Sequence, residues 1–243
     1  MQINNPFSTT KNYGEMLRKI ACYSTVVVFI LLTILRSILN DTDIINNQIF
    51  QKWLNVKITV YSIQLSVIDV TLAIFVGVIT RVIKLHDRLS TLLRIRKRFD
   101  IQQILKPIIK ECSPENYPEK KQGKAIIENR HKLMRKTFYK YASGNPEYQH
   151  IDPHLIEMAL DQWTYFWILE EAIFFITIAS IPLIIYKKYF ALAIFVLIII
   201  LLIVIMKASY QKSKIYAKDE VEEIISDINR KKEICKAINE ILN

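Results

Sequence analysis

Residues 189–206 read Tyr-Phe-Ala-Leu-Ala-Ile-Phe-Val-Leu-Ile-Ile-Ile-Leu-Leu-Ile-Val-Ile-Met, with no charged side chain among them. A helix needs about 20 apolar residues to cross the roughly 30 Å hydrocarbon core of a bilayer, so this chain is expected to live in a membrane. Three further stretches, at 19–38, 58–80 and 165–186, have the same character less purely. The expected fold is an all-α membrane protein: four transmembrane helices, a helical domain outside the bilayer and a long C-terminal helix. Four spans put both termini on one side.

Charge decides which side. The 243 residues carry a formal net charge of +10 beside 51% hydrophobic residues, a combination natural for apolar spans joined by basic loops. Residues 81–141 hold 17 Lys/Arg against six Asp/Glu. The loop between the first two spans sets Lys52 and Lys57 against Asp41 and Asp43, and the third loop offers little beyond Lys187 and Lys188. The positive-inside rule assigns the long central loop and both termini to the cytoplasm. The expected segments are a cytoplasmic N-terminus at 1–18, spans one and two within 19–80, and a basic cytoplasmic helical domain at 81–162. Spans three and four follow within 163–206, then a cytoplasmic coiled helix at 207–243. Cys22, Cys112 and Cys235 lie far apart in sequence and none falls outside on this topology, so no disulfide framework is expected. The first apolar stretch lacks a small-x-small exit and ends in Arg36 and Asn40, which marks a retained span rather than a signal peptide.

The chain has only four glycines, at 14, 77, 123 and 144, and no hairpin signal is read. Span two is expected to run on through Lys84–Leu93 as an amphipathic extension, and Asp100 to cap a short helix ending near Pro107. Residues 112–124 form a linker. An amphipathic helix follows over 124–141, with Ile127, Met134, Phe138 and Tyr141 on one face and Lys132, Arg135, Lys136 and Tyr139 near the other. Asn145–Pro146 and Asp152–Pro153 each place a capping side chain before a proline at a first helical position, and the second starts the helix of span three. Beyond Met206 there is neither proline nor glycine, so span four is expected to continue as one long helix. Val221, Ile224, Ile228, Cys235, Ile238 and Leu242 repeat at helical steps as a short coiled-coil seam interrupted by Lys231. That seam packs on the chain's own central domain or on a neighbouring subunit.

Within the membrane, span two carries the most information. Thr59, Ser62, Ser66, Asp69, Ala73, Gly77 and Thr80 fall at three- and four-residue steps, a small or polar stripe that lipid disfavours. A carboxylate in mid-membrane costs about 2.5–3.5 kcal/mol on insertion scales and faces a bundle interior or a water-filled cavity. The stripe is either a tight helix–helix seam or a pore lining, for which Ser62, Ser66, Asp69 and Gly77 are the candidates. Glu170 and Glu171, seven and eight residues past Trp163, are either solvated carboxylates near the cytoplasmic boundary or part of a permeation path, and Pro182 reads as a packing kink in span three.

Catalysis finds little to work with. The histidines are His86, His131, His150 and His154; the last two have i, i+4 spacing, but Pro153 separates them and no further ligand completes a zinc set. No nucleophile elbow, P-loop or dinucleotide fingerprint occurs. No enzyme activity, catalytic residue, metal or cofactor is expected. The basic surface does need a counter-ion. Arg81, Lys84 and Arg88 follow span two closely enough to meet lipid headgroups. Arg94, Arg96, Lys97 and Arg98 on one element, and Lys132, Arg135, Lys136, Tyr139 and Lys140 on another, interleave cations with Phe99, Phe138 and Tyr141. Cations for phosphates and flat rings for bases suit single-stranded nucleic acid or a nucleotide; the alternative is a solvated face touching headgroups.

The layout of four spans, a basic helical loop and a coiled C-terminal helix, with the stretch Arg-Leu-Ser-Thr-Leu-Leu-Arg-Ile-Arg-Lys-Arg-Phe-Asp-Ile-Gln-Gln-Ile-Leu-Lys-Pro at 88–107, resembles the small membrane effectors of bacterial anti-phage systems. Among them it is most similar to the channel effectors of the Hailong system. The resemblance implies a homotetrameric ion channel in the bacterial inner membrane, held shut by short single-stranded DNA from a partner nucleotidyltransferase. Loss of that DNA during infection would open the pore, depolarise the membrane and arrest the cell. It assigns no ligand-binding residue. Two other classes stay open: a non-conducting scaffold that recruits a partner through its C-terminal helix, and a small transporter.

Overall fold

In the computed structural model, residues 9–39, 56–60, 63–112, 119–142 and 150–242 are described. Helix α1 runs Tyr13–Leu39. Its start is capped by Asn12, whose Oδ1 accepts the N–H of Glu15 at 3.0 Å, while Glu15 Oε2 accepts the N–H of Lys11 at 2.9 Å. Glutamate reaching back from the first turn is the logic of a capping box. Next come strands β1 (Lys57–Val60) and β2 (Ile63–Ser66), then helices α2 (Val67–Ile83), α3 (Leu85–Leu92) and α4 (Ile95–Phe99). A π-helical segment, Asp100–Leu105, leads into α5 (Lys106–Cys112), followed by α6 (Glu119–Thr137), α7 (Pro153–Ile185), α8 (Tyr189–Ser226) and α9 (Ile228–Leu242). Among the described residues the protein is all-α but for one strand pair. Helices α1, α7 and α8, of 27, 33 and 38 residues, are long and apolar enough to cross a membrane.

The second expected span differs most. Lys57–Val60 and Ile63–Ser66 pair as antiparallel strands, with Lys57 opposite Ser66 and Val60 opposite Ile63, where both a helix and the absence of hairpins are expected. Val56, Ile58, Thr59, Val60 and Ile63 are β-branched, and branching at Cβ favours a pleated strand over a helix. Helix α2 therefore begins at Val67 and has 17 residues. Asp69 sits in its first turn rather than in mid-span, where a carboxylate also suits the positive end of the helix dipole. Asp69, Ala73, Gly77 and Thr80 still share one buried helical face. Ser66 and Ser62 do not continue it, since Ser66 lies in β2 and Ser62 falls outside the described residues.

Nor does α2 run on as a single extension. Lys84 takes a left-handed conformation, φ 49°, and ends it; Arg94, at φ 56°, separates α3 from α4. Pro107 lies inside α5 instead of ending a helix. Proline lacks an N–H and crowds the carbonyl four residues back, and the wider π turn just ahead of it relieves that clash. The Asp152 cap holds as expected, its Oδ1 accepting the N–H of His154 at 2.9 Å.

The chain divides into two compact units, one of Leu17–Arg88 with Thr164–Ala208, the other of Met1–Met16, Leu89–Trp163 and Ser209–Asn243. The first holds the apolar runs. Leu31, Ile176, Ala179, Leu183 and Phe195 form its core, and Phe75, Val82, Phe190 and Leu197 remain exposed as lipid-facing residues would.

In the second unit Phe99, Leu105, Ile108, Leu133, Met134, Tyr141, Ile224 and Ile234 close a core from α4, the π segment, α5, α6, α8 and α9. The expected single C-terminal helix breaks at Asp227, whose Oδ1 accepts the N–H of Arg230 at 2.7 Å and caps α9. Val221, Ile224 and Ile238 of the coiled-coil seam pack into this core, whereas Ile228 beside the break is exposed. Of the two partners considered for the seam, the chain's own domain is the one these residues meet. Lys231 leaves it to pair with Glu111 at 2.8 Å. Beside that pair Cys112 and Cys235 form a disulfide with Cα atoms 5.0 Å apart, contrary to the expectation of none. Their separation of 123 residues concealed the approach.

Candidate functional site

In the second unit a cleft lies between the last turns of α6 and helix α9. Leu133, Met134, Thr137 and Phe138 turn inward, which leaves Lys132, Arg135, Lys136, Tyr139 and Lys140 on the outer face by the geometry of 3.6 residues per turn. Helix α9 opposes them with Glu233, Lys236, Ala237 and Glu240, and the space enclosed is about 1040 Å³.

Five cations thus meet two carboxylates. Lys136 lies 3.8 Å from Glu240. Lys140 donates to Glu233 Oε1, and the Tyr141 hydroxyl donates to Glu233 Oε2 at 2.8 Å. These two donors, Lys140 first, hold the Glu233 carboxyl below its ordinary range. Lys132, Arg135 and Lys236 have no carboxylate partner among the described residues. An excess of cations beside a half-exposed tyrosine ring can hold phosphates and stack a base. Tyr139 is 42% exposed, and its hydroxyl accepts from Arg96 Nη2 at 3.3 Å.

Of the residues singled out for an anionic ligand, Lys132, Arg135, Lys136, Tyr139 and Lys140 therefore come together, with Arg96 alongside. Arg94, Lys97 and Arg98 do not line the cleft; they stand exposed on α4 and at its start. Phe138, at 6% exposure, is part of the core and offers no face to a base. Ile127, expected on the apolar face of this helix, is 45% exposed, and Ile126 takes its place. Sequence reasoning missed Lys236, Glu233 and Glu240 because it considered only the apolar seam of the C-terminal stretch and not the polar face beside it. The capping aspartate at 227 was the available signal.

Arg130 Nη1 donates to Asp100 Oδ2 at 2.7 Å and ties α6 to the π segment. Burial pushes the Asp100 carboxyl up from its ordinary 3.8 to about 6, against the opposing pull of Arg96 and Arg130.

The membrane-type unit holds a second set of polar groups. Arg36 of α1 lies 2.9 Å from Asp69 of α2. Gly77 packs on α1 so tightly that a Cβ there would meet Thr25 Oγ1 and the Ala21 carbonyl. Ser66 is buried. Deeper in the unit Glu171 accepts the Ser24 hydroxyl and, at 3.0 Å, the N–H of His86. Both carboxylate oxygens of neighbouring Glu170 are buried without a hydrogen-bond partner among the described residues. No group of three or more His, Cys, Asp or Glu side chains placed to hold a metal occurs among the described residues.

Sequence comparison adds family to geometry. The chain is 28% identical over 180 residues to the "Uncharacterized protein YmfE" of Escherichia coli (strain K12), a match covering 70% of this chain and 68% of that protein. No solved structure matches. Nothing in these matches ties the chain to the Hailong system or to phage defence. The profile of the YmfE protein family covers residues 12–236, nearly the whole chain, which therefore belongs to the YmfE family.

Proposed function

We propose that the chain is a subunit of an oligomeric membrane channel, a homotetramer by the resemblance noted above, gated by a phosphate-bearing ligand bound in the α6–α9 cleft. The observation that carries this reading is the cleft itself, where five cations and an exposed tyrosine ring meet only two carboxylates. A short single-stranded DNA, or a nucleotide supplied by a partner nucleotidyltransferase, matches that chemistry. The reading assigns no catalytic step and no cofactor to the chain.

Helix α2 serves as the fourth span in this proposal. Its 17 residues reach about 25 Å, close to the hydrocarbon thickness, and Phe75, Val78 and Val82 are exposed along it as lipid-facing residues. In this reading both termini and the cleft lie on the cytoplasmic side of a bacterial inner membrane, which the 17-to-six excess of Lys/Arg over Asp/Glu in 81–141 supports through the positive-inside rule. Asp69 and Gly77 face α1 in the single chain. A pore lined by Asp69 and Gly77, the two members of the expected lining that share an α2 face, then requires α1 and α2 to part, so the packed seam corresponds to the shut gate. Bound ligand favours the shut state, and its loss lets ions through, collapses the membrane potential and arrests the cell, as an anti-phage effector would.

Binding of labelled short single-stranded DNA to the detergent-solubilised chain across a salt series tests the ligand. Log affinity should fall against log salt with a slope near −0.7 per phosphate contacted. Tyr139→Ala should weaken binding by about 1–3 kcal/mol if a base stacks on the ring. Absence of binding at low salt, or binding indifferent to Lys136→Glu and Lys140→Glu, would remove the cleft from the account.

A further inference from the structure

The junction of α3 and α4 presents apolar side chains where water would be expected. Leu92 is 77% exposed and Leu93 55% exposed, side by side on the surface of the unit that also holds the cleft. They are not on a loose strand. Leu93 N–H donates to the Leu89 carbonyl at 2.9 Å, Arg94 N–H to the Thr91 carbonyl at 3.2 Å, and Arg96 N–H to the buried Ser90 hydroxyl at 3.2 Å. Arg94 holds a left-handed backbone at φ 56°, so the chain turns sharply after the two leucines. This is a built corner that thrusts paired leucines outward.

Cations surround them. Arg94, Lys97 and Arg98 follow within six residues, all exposed, and none has a carboxylate partner among the described residues. Three occupants would bury such a patch. Nucleic acid uses the cations but gains nothing from aliphatic side chains, which neither pair with phosphates nor stack on bases. A second copy of the chain would bring the same three cations against these, a repulsive arrangement. An anionic lipid surface satisfies both halves, with phosphates for the guanidinium and ammonium groups and the acyl boundary for the leucines. Leu92 lies only nine residues beyond the end of α2 at Ile83, within covalent reach of the bilayer in which α2 is placed.

We propose that Leu92, Leu93, Arg94, Lys97 and Arg98 form a docking surface for the anionic leaflet, separate from the ligand cleft and resting on the reading of α2 as a span. Of the four basic residues at 94–98, only Arg96 then belongs with the cleft. Each basic side chain near an anionic surface strengthens attachment roughly fivefold, so the three cations make docking depend on lipid charge.

The test uses the full chain with Cys22→Ser and Leu92→Cys, carrying an environment-sensitive fluorophore, in nanodiscs. One set of discs is phosphatidylcholine alone; the other contains equal parts phosphatidylcholine and phosphatidylglycerol. Both contain nitroxide-labelled lipid. Quenching should be several-fold stronger in the anionic discs, and Arg94→Gln with Lys97→Gln and Arg98→Gln should abolish the difference. Equal quenching in the two discs, or none in either, would overturn the proposal. So would a probe in detergent that responds to single-stranded DNA while ignoring phosphatidylglycerol in discs, or one that responds only to protein concentration. Both disc leaflets carry the same lipid, so the result is independent of topology and of cleft occupancy.

Discussion

Gly77 of α2 and Thr25 of α1 occupy the same space to within a side chain: a Cβ on residue 77 would come 1.8 Å from the threonine Oγ1 and 3.2 Å from the Ala21 carbonyl. Thr25 is held there by donating its hydroxyl to the Ala21 carbonyl at 2.9 Å. Gly77→Ala should therefore destabilise the fold by about 1–3 kcal/mol, the usual cost of overpacking. Adding Thr25→Ala should recover part of that loss. A thermal-unfolding double-mutant cycle in detergent measures the coupling, and purely additive effects would mean the helices do not meet there.

Asp100 gives the second unit a pH response. Its carboxyl titrates near 6 when buried and at 3.8 ordinarily, so between those values the folded state holds a proton that the unfolded chain has released. That contribution to stability is fully present below the lower value and is lost as pH rises through about 6. Asp100→Asn removes the titration while leaving an acceptor for Arg130. From about pH 5 to about pH 7.5 the parent chain should lose roughly 1 kcal/mol relative to this variant. Parallel pH profiles for the two proteins would contradict the assignment.

The pairing of Cys112 with Cys235 leaves Cys22 as the free thiol. Unfolded in the absence of reductant, air-exposed protein should therefore react with one thiol reagent per chain, and reduced protein with three. Three in both states would mean that α5 and α9 do not bring these residues together.

Topology is open to labelling with an impermeant thiol reagent. In a Cys22→Ser background, a cysteine replacing Asn46 should react in intact cells, whereas one replacing Lys124 should react only after permeabilisation. Reaction of position 124 in intact cells would invert the orientation.

How far the sequence carried depends on the kind of signal. The uncharged run at 189–206 and the Asp152–Pro153 pair are local and physical, and α8 and the start of α7 follow from them. The strands Lys57–Val60 and Ile63–Ser66 read as part of a helical span because an apolar run scores alike as helix or strand, and only the β-branched residues tell them apart. Asp69 was then placed too deep, and its partner Arg36, 33 positions earlier, had no sequence signature. The basic face Lys132–Lys140 was visible from periodicity alone. The opposing wall from α9 was not, since nothing in a single sequence says which helix a groove will face.

The coupling of cleft to pore is most directly tested by ion flux from proteoliposomes that hold the full chain with its cytoplasmic side accessible. Flux should be low with short single-stranded DNA present and rise when a nuclease removes it. The Lys136→Glu, Lys140→Glu chain should conduct with or without the DNA. Vesicles that never conduct, or wild-type flux unchanged by adding and digesting the DNA, would contradict the account.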